Sequence, residues 1–289
     1  MKKVNIAVLL TCHNRKNKTI SCLQSLYSAK KPSRFSVDVY LTDDGSSDGT
    51  SETIAVMFPS VNLIKGDGNL FWAGGMRLTW ETAIKNKSYN AYLLLNDDVV
   101  LRSDFFHKFQ ETDTYALKHF GKQGIYSGST IDMKSNNITY GASRIKSFLF
   151  IVKTYRIEPT DKPQKCDITN ANILWVSKEA VETLGIFDTR YTHGIADYDY
   201  SMKARKKNIP VLLTAGVCGE CTHDHGNNWR NNEYSLKERI VYLKSPKGLA
   251  YNEYLYYVSK HFPLFVPYTF IMLWLKTLFP FFWEKYKLE

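Results

Sequence analysis

The first hundred residues alternate between short apolar runs and amphipathic stretches, and this alternation restricts the fold more than any other feature of the chain. The β-branched and Leu-rich run at residues 4–10 is typical of a strand that is buried on both faces. Further strands are predicted at 37–41, 61–64 and 91–95, and helices at 14–29, 47–58 and 74–87. Strands that alternate with helices form parallel sheets through right-handed crossovers. The chain is therefore predicted to be an α/β protein with a mainly parallel central sheet flanked by helices.

Polar residues follow three of the predicted strands at the point where each strand ends. Residues 11–15 (TCHNR) follow the first strand, residues 43–45 (DDG) the second and residues 96–98 (NDD) the fourth. Ligands bind beyond the carboxyl ends of the strands in sheets of this kind. One edge of the sheet is therefore predicted to carry the chemistry.

The segment Asn96-Asp97-Asp98 is the most informative of the three. Two carboxylates placed directly after a buried strand are costly unless a cation meets them. A divalent metal ion supplies that charge and also holds a diphosphate leaving group. The alternative is an ordinary acidic turn, because Asn and Asp are common in turns.

Residues 42–50 (TDDGSSDGT) combine a predicted helix cap with two further carboxylates. Ser47 or Asp48 is expected to cap the following helix. That role leaves Asp43 and Asp44 at the end of a strand, where a carboxylate can accept a hydrogen bond from a nucleobase or a ribose hydroxyl.

Residues 66–75 (GDGNLFWAGG) are rich in glycine and precede a predicted helix. Glycine permits close backbone approach or a positive φ, and the helix N-terminus can bind phosphate. A plain loop with Trp72 in the core fits equally well. The order of the glycines does not match a dinucleotide-binding fingerprint, which would directly follow the first strand.

The net charge of +10, from 38 Lys and Arg against 28 Asp and Glu, indicates an anionic partner. Nucleic acid, an anionic membrane surface and a phosphorylated substrate all fit this charge. The basic residues are scattered along the chain without a dense run, which disfavours nucleic acid.

The odd number of five cysteines, in a chain too large to need disulfides, predicts free thiols in a reducing compartment. The apolar run after Met1 ends near Leu10 without a small-residue cleavage site, so it is interpreted as a strand rather than a signal peptide. Both features predict a cytoplasmic protein.

Residues 218–225 (CGECTHDH) raise the question of a zinc site. Only one Cys pair is present, without a second pair at the spacing of a zinc finger, and this disfavours structural zinc. A surface loop is the simpler interpretation of the two histidines.

The segment 262–283 is apolar and aromatic, but three prolines and Lys276 interrupt it. A membrane-spanning helix needs roughly 20 clean apolar residues. We expect instead an amphipathic segment that lies on a membrane surface or forms a dimer interface. The predicted organisation is a domain at 1–228 and a helical C-terminal segment at 229–289.

Five segments occur together in one order: 6–15 (IAVLLTCHNR), 42–50, 66–75, 96–98 and 194–205 (GIADYDYSMKAR). In this order they resemble the family 2 glycosyltransferases, which have a GT-A fold. The similarity is greatest to the rhamnosyltransferase and galactofuranosyltransferase-like branch that builds bacterial surface polysaccharides. It covers roughly residues 4–225, and implies a nucleotide-binding half at about 1–100 and an acceptor-binding half at about 101–228.

The resemblance implies a role for each matching position. The donor would be bound by Thr11, His13, Arg15, Asp44, Asn69, Trp72 and Asp97. Within this set, Thr11 and Asp44 would contact the nucleobase with His13 beside it, Arg15 would lie near the diphosphate, and Asp97 would face the ribose or the donor sugar.

The metal and the reaction are assigned to other residues by the same resemblance. Asp98 would bind Mn²⁺ or Mg²⁺, and His223 would complete the metal shell, with His225 as the alternative. Asp197 would be the catalytic base, and Asp199 would be a second acidic residue that supports the acceptor pocket and binds the acceptor. The family's usual Glu before the base is replaced here by Ala196.

The implied activity is an inverting, metal-dependent transfer of rhamnose or a hexose from a dTDP- or UDP-linked donor. The acceptor would be a polyprenyl-diphosphate-linked glycan at the inner face of the cell membrane, reached through peripheral contact of the C-terminal segment. A non-catalytic nucleotide-sugar or carbohydrate-binding protein on the same fold is one alternative. A nucleotidyltransferase is another, but the Gly-rich loop expected after its first strand is missing from residues 11–15.

Overall fold

The computed structural model of the chain describes residues 3–148, 151–222 and 234–284. Its N-terminal part alternates strands and helices in the order β1 (Val4–Cys12), α1 (Lys16–Ser28), β2 (Phe35–Asp43), α2 (Thr50–Met57), β3 (Asn62–Lys65), α3 (Phe71–Asn86) and β4 (Ala91–Leu95). These strands are parallel and lie in the order β3-β2-β1-β4. The four strands and three helices predicted for this part are confirmed.

The following part supplies β5 (Val100–Leu101), α4 (Phe105–Phe120), β6 (Ile125–Ile131), β7 (Ile138–Tyr140), β8 (Ala142–Phe148), β9 (Ile151–Arg156), β10 (Gln164–Lys165), β11 (Ile168–Thr169), β12 (Ile173–Ser177), α5 (Lys178–Leu184), α6 (Ala196–Lys206) and β13 (Val211–Glu220). The main sheet has the order β10-β13-β6-β12-β4-β1-β2-β3. Strand β12 runs antiparallel to both β4 and β6, so the sheet is parallel in its first half and mixed in its second. Strands β11, β8 and β9 form a separate antiparallel sheet.

The main sheet is buried on both faces, as β1 illustrates. Ala7 and Leu9 point into one hydrophobic cluster, which also contains residues of α3 and α6. Ile6, Val8 and Leu10 point into the other, which also contains residues of α1 and α4. This alternation explains why residues 6–10 are continuously apolar, because neither face of that part of the strand meets solvent.

The C-terminal segment consists of α7 (Leu236–Lys244), α8 (Tyr251–His261), a 3-10 turn (Pro263–Phe265), α9 (Val266–Leu278) and α10 (Phe281–Glu284). Helix α8 belongs to the core, because Tyr257 and Val258 are buried in the same cluster as α3 and α6. By contrast, α9 and α10 expose large apolar side chains: Tyr268, Phe270, Ile271, Leu275, Leu278, Phe281 and Phe282. In the described part of the chain, none of the helices combines the length and apolar character needed to cross a membrane.

Candidate active site

A cleft of about 740 Å³ opens at the carboxyl ends of β1, β2 and β4. Its walls come from the strand ends and the 68–72 segment of the first half, from residues 139–198 of the second, and from Thr222 and Lys247. The residues predicted from the sequence that line it are Thr11, His13, Arg15, Asp44, Trp72, Asp97, Asp98 and Asp197. The fold thus brings together side chains that are up to 186 positions apart (197 minus 11).

Asp97 and Asp98 follow β4 after a single intervening residue, Asn96, and Arg15 pairs with both of them. Its Nη1 atom lies 2.8 Å from Asp98 Oδ2 and 3.3 Å from Asp97 Oδ1. Burial raises the pKa of Asp97 to about 6, although the neighbouring Arg15 guanidinium lowers it. Two adjacent carboxylates of this kind need a cation, and the Arg15 guanidinium supplies it here.

The same carboxylates suit a divalent metal ion, since carboxylate oxygens are the ligands that Mg²⁺ and Mn²⁺ prefer. Among residues 3–148, 151–222 and 234–284, no three His, Cys, Asp or Glu side chains are grouped to hold a metal. The predicted ligand His223 and its alternative His225 lie outside the described residues. Thr222, the residue before His223, lines the cleft.

The side chain of Asp44 binds backbone N–H groups of the loop that forms one wall of the cleft. Its Oδ1 accepts a hydrogen bond from Gly68 N at 2.8 Å and its Oδ2 accepts one from Phe71 N at 3.0 Å. The residue is only 4% exposed. Gly68 has a φ of +86°, which an L residue rarely adopts. Asp44 therefore fixes the loop between β3 and α3, while its contact with a nucleobase remains a prediction.

Thr11 lies where helix α3 approaches β1 most closely. A Cβ atom added to Gly75 would lie 2.1 Å from Thr11 Oγ1, so only glycine permits this approach. Close backbone approach, one of the two uses of glycine expected for residues 66–75, is thus present at Gly75.

Of the two residues in the 66–75 segment that were predicted to bind the donor, Trp72 lies in the cleft and Asn69 does not. Trp72 lines the cleft, and its Nε1 donates a hydrogen bond to Asn96 Oδ1 at 2.8 Å. Asn69 is exposed and does not line the cleft; its backbone N–H bonds to Asp67 Oδ1. The structure therefore does not place Asn69 where it was predicted to bind the donor.

Asp197 lies in the first turn of α6 and faces the cleft. Its Oδ2 accepts a hydrogen bond from Ala171 N at 3.0 Å and its Oδ1 accepts one from Tyr198 N at 2.9 Å. Burial raises the pKa of Asp197 to about 6, against the lowering effect of these backbone hydrogen bonds. A carboxylate with this pKa is mostly ionised at pH 7 and can still accept a proton.

Backbone strain precedes Asp197. Ile195, the residue before α6 begins, has a φ of +69°, a conformation that is unfavourable for a β-branched side chain. Such strain persists only where the surrounding structure holds the backbone in place, and it is common at functional sites.

Asp199 does not line the cleft, and this corrects its predicted role as an acceptor contact. Two residues along a helix from Asp197, it points the opposite way and is 1% exposed. His261 Nε2 lies 2.7 Å and Lys260 Nζ 2.8 Å from its Oδ1. Burial opposes ionisation, but hydrogen bonds from His261 and Lys260 hold the pKa of Asp199 below its usual range.

The cleft also contains residues that the sequence analysis did not indicate: Arg156, Asn170, His193, Tyr198 and Lys247. His193 and Tyr198 lie within or beside the segment 194–205, so the resemblance could have drawn attention to them. Arg156 and Asn170 come from the irregular middle of the chain and Lys247 from the C-terminal segment, where periodicity gives no signal of a site.

Comparison with known proteins places this geometry among known folds. No family model matches the sequence, and no curated protein matches it. A solved mannosyltransferase of Pyrobaculum calidifontis, in complex with GDP-Man and Mn²⁺, matches with a TM-score of 0.53 and 15% identity. The match covers 80% of this chain and 61% of that one.

GalNAc-T7 with UDP, GalNAc and Mn²⁺ matches with a TM-score of 0.59 and 13% identity, over 84% of this chain and 48% of that one. Residues 1–349 of S. aureus TarS, in complex with UDP, match with a TM-score of 0.52 and 13% identity, over 77% and 60%. The chain has a GT-A glycosyltransferase fold. It spans about half to three fifths of the solved chains it matches. The predicted GT-A fold class is thus confirmed.

Proposed function

We propose that this GT-A protein is an inverting, divalent-metal-dependent glycosyltransferase that uses a nucleoside diphosphate sugar. One observation carries the proposal: a single cleft contains both the Asp97–Asp98 carboxylate pair and the half-buried carboxylate of Asp197. The first is suited to the diphosphate end of a donor, and the second to the hydroxyl group of an acceptor.

The proposed reaction is a single displacement. Asp197 accepts the proton of the acceptor hydroxyl as its oxygen forms a bond to the anomeric carbon. The bond between that carbon and the diphosphate oxygen breaks on the opposite face, and the nucleoside diphosphate leaves with the electron pair. The configuration at the anomeric carbon is inverted, and Asp197 serves as general base.

Asp98 would hold Mn²⁺ or Mg²⁺, with His223 as the proposed further ligand and Asp97 beside the ribose or donor sugar. When bound, the ion would offset the negative charge that develops on the diphosphate. Arg15 already lies against both carboxylates, so it is close enough to share the diphosphate charge. Thr11, His13, Asp44 and Trp72 form the neighbouring wall, where the nucleoside is proposed to bind.

The donor and acceptor are proposed from the sequence resemblance. dTDP-rhamnose is the first candidate donor, with UDP-hexose and UDP-galactofuranose next. Nucleotide sugars or nucleotides are bound in the related structures, which contain GDP-Man or UDP. A polyprenyl-diphosphate-linked glycan of bacterial surface polysaccharide is the proposed acceptor, and the cationic side chains of Arg156 and Lys247 in the cleft suit an anionic substrate.

The exposed apolar surface of α9 and α10 supports a peripheral position at the inner face of the membrane. Phe282 is 59% and Ile271 54% exposed, Leu264 in the preceding 3-10 turn is 86% exposed, and Lys276 lies on the same helix as Ile271. Aromatic and basic side chains together favour the interface of an anionic membrane. A homodimer that buries this surface is the alternative proposal.

The test is release of nucleoside diphosphate from candidate donors, measured with MnCl₂, with MgCl₂ and with EDTA. Stability shifts on adding each donor with Mn²⁺ identify the cognate one, because at equal ligand concentration the ligand that binds the folded protein most tightly stabilises it most. Activity is expected only with metal, and both Asp98→Ala and Asp197→Asn should lose it. Activity that survives both substitutions would overturn the proposal, and pyrophosphate release from a nucleoside triphosphate would indicate a nucleotidyltransferase.

A further inference from the structure

Helix α8 holds the loop that leads to Asp197. Glu253 Oε2 accepts a hydrogen bond from Thr192 N at 3.0 Å. Tyr256 donates its hydroxyl to Asp188 Oδ2 at 3.1 Å, and Lys260 Nζ lies 3.3 Å from the same oxygen. Both ends of the stretch from 188 to 192 are therefore tied to one helix of the C-terminal segment.

The same helix contacts the first turn of α6 through the buried carboxylate of Asp199. Lys260 and His261, the last two residues of α8, both bind Asp199. The side chains of His261 and Asp199 are 0% and 2% exposed. The buried charge of Asp199 is compensated by Lys260 and stabilised by the hydrogen bond from His261, so loss of either contact leaves that charge less well satisfied. This contact is therefore a firm attachment between the two helices.

The attachment lies two residues beyond Asp197, and strained backbone lies two residues before it. Among the described residues, no side chain caps the N-terminus of α6, where Ile195 has its φ of +69°. An uncapped, strained start is stable only when contacts beyond it hold the turn. The contact with Asp199 supplies that restraint at the helix turn that presents Asp197.

We propose that Asp199, Lys260 and His261 are positioning residues through which helix α8 fixes the loop 188–197 and the carboxylate of Asp197. None of the three lines the cleft, so they would act on the reaction only through the geometry of the base. This inference rests on the proposed function of Asp197, and it gives α8 a role in catalysis in addition to its part in the core.

Two variants of His261 test the hydrogen bond to Asp199, one by removing it and one by keeping it. His261→Leu removes the donor to Asp199, whereas His261→Gln keeps a side-chain N–H near that position. Lys206→Met is the matched control, because Lys206 Nζ also joins α6 to α8, through Lys260 O at 2.9 Å, but from the last turn of α6.

We expect kcat to fall about 100-fold in His261→Leu, since a displacement of the order of 1 Å at a reacting group costs that much. The KM for the donor should stay within about twofold of wild type, because the Asp97–Asp98 side of the cleft is untouched. His261→Gln should recover most of kcat, and Lys206→Met should match wild type.

The acid limb of the pH–kcat profile gives a second readout. A looser loop admits water to Asp197 and lowers its raised pKa, so the limb should move to lower pH in His261→Leu. Within the described residues, the phenols of Tyr198 on α6 and Tyr257 on α8 are ionisable groups that interact with this carboxylate, and Arg156 of β9 lies near Tyr198. The phenols stay protonated throughout this range, because burial raises the pKa of both.

Hydrogen exchange tests this inference independently of the proposed function. Backbone amides of 188–199 should exchange faster in His261→Leu than in Lys206→Met, with residues 4–95 unchanged in both, whether or not a donor has been found. Equal exchange in the two variants would overturn the inference. A folded His261→Leu variant with wild-type kcat would also overturn the inference. The same holds if kcat and donor affinity fall by the same factor in this variant and the acid limb of its pH profile does not shift. Absence of sugar transfer by the wild type, with the exchange result as expected, would contradict the proposed function alone.

Discussion

Two carboxylates in different regions of the cleft, Asp97 and Asp197, both have a pKa raised to about 6 by burial, yet their surroundings differ. Asp97 stands at the end of a strand beside a second carboxylate, with Arg15 Nη1 at 3.3 Å. Asp197 stands at the start of a helix, and backbone N–H groups of Ala171 and Tyr198 are its hydrogen-bond partners. The first region brings several charged side chains together, whereas in the second the hydrogen-bond partners of the carboxylate are neutral backbone groups.

The difference supports the different chemistry proposed for the two regions. A pair of carboxylates whose charge a single guanidinium only partly offsets favours a further cation, and a metal ion can bind there. An isolated carboxylate with a raised pKa favours a proton, as a general base must. We therefore expect substitutions in the two regions to separate donor and metal binding from the transfer step.

The largest effect is expected at the isolated carboxylate. Asp197→Asn cannot accept the proton of the acceptor, so kcat should fall by roughly 1,000-fold, within the usual range for a general base. Donor affinity should stay within about twofold, because the strand-end carboxylates are unchanged. Steady-state transfer and donor titration measure the two quantities. A variant that keeps a tenth of the wild-type kcat would remove the distinction between the regions.

A smaller loss of activity is expected at the paired carboxylates. Asp98→Asn should lower the transfer rate by about 100-fold at a Mn²⁺ concentration that saturates the wild type, because metal stabilisation of a leaving group is worth several kcal/mol. Excess Mn²⁺ should restore part of that rate. The same excess should do nothing for Asp197→Asn, and equal rescue of both variants would contradict the assignment.

Stability should respond to Asp197 in the opposite direction from activity. Its pKa is raised from 3.8 to about 6 in the folded protein, so the protonated form stabilises the fold. That stability is fully present below about pH 4 and is lost as the pH rises through about 6. The Tm of Asp197→Asn relative to that of the wild type should therefore be higher at pH 8 than at pH 5, because the variant stays neutral while the wild-type carboxylate ionises. Thermal unfolding at both values checks this, and a pH-independent difference would argue against burial as the cause of the shift.

The smallest effect is expected at Asn69. Its side chain is exposed and lies outside the cleft, so Asn69→Ala should change donor affinity by less than about twofold. Donor titration against Trp72→Ala, which removes a cleft wall, provides the contrast. Similar losses in both variants would mean that the loop at 66–71 closes over the donor.

The strand-end residues could be predicted because a parallel sheet brings its carboxyl ends together, which fixes Asp44, Asp97 and Asp98 near one another. Asp197 required the resemblance, since no periodicity links it to residues that precede it by 99 or more positions. The Asp199 prediction failed for a reason that helix geometry explains: two residues along a helix are rotated by about 200°, so Asp197 and Asp199 face opposite sides.

Other parts of the fold could not be predicted, because they depend on contacts between distant segments that the local sequence pattern does not reveal. The apolar run of β12 (Ile173–Ser177) does not reveal that it inserts antiparallel between β4 and β6. Likewise, the aromatic C-terminal segment predicts an amphipathic surface, but not that α8 enters the core and contacts Asp199 from 61 positions away (260 minus 199).

The central claim is that the Asp97–Asp98 region binds the metal and the donor, whereas Asp197 acts in the transfer step. It is tested most directly by titrating UDP and dTDP into wild type, Asp98→Asn and Asp197→Asn, with MnCl₂ and with EDTA. The account predicts that one of these nucleotides binds the wild type more tightly with Mn²⁺, that Asp197→Asn keeps this metal dependence and that Asp98→Asn loses it. Metal-dependent binding that is lost equally in both variants, or kept equally in both, would contradict the account.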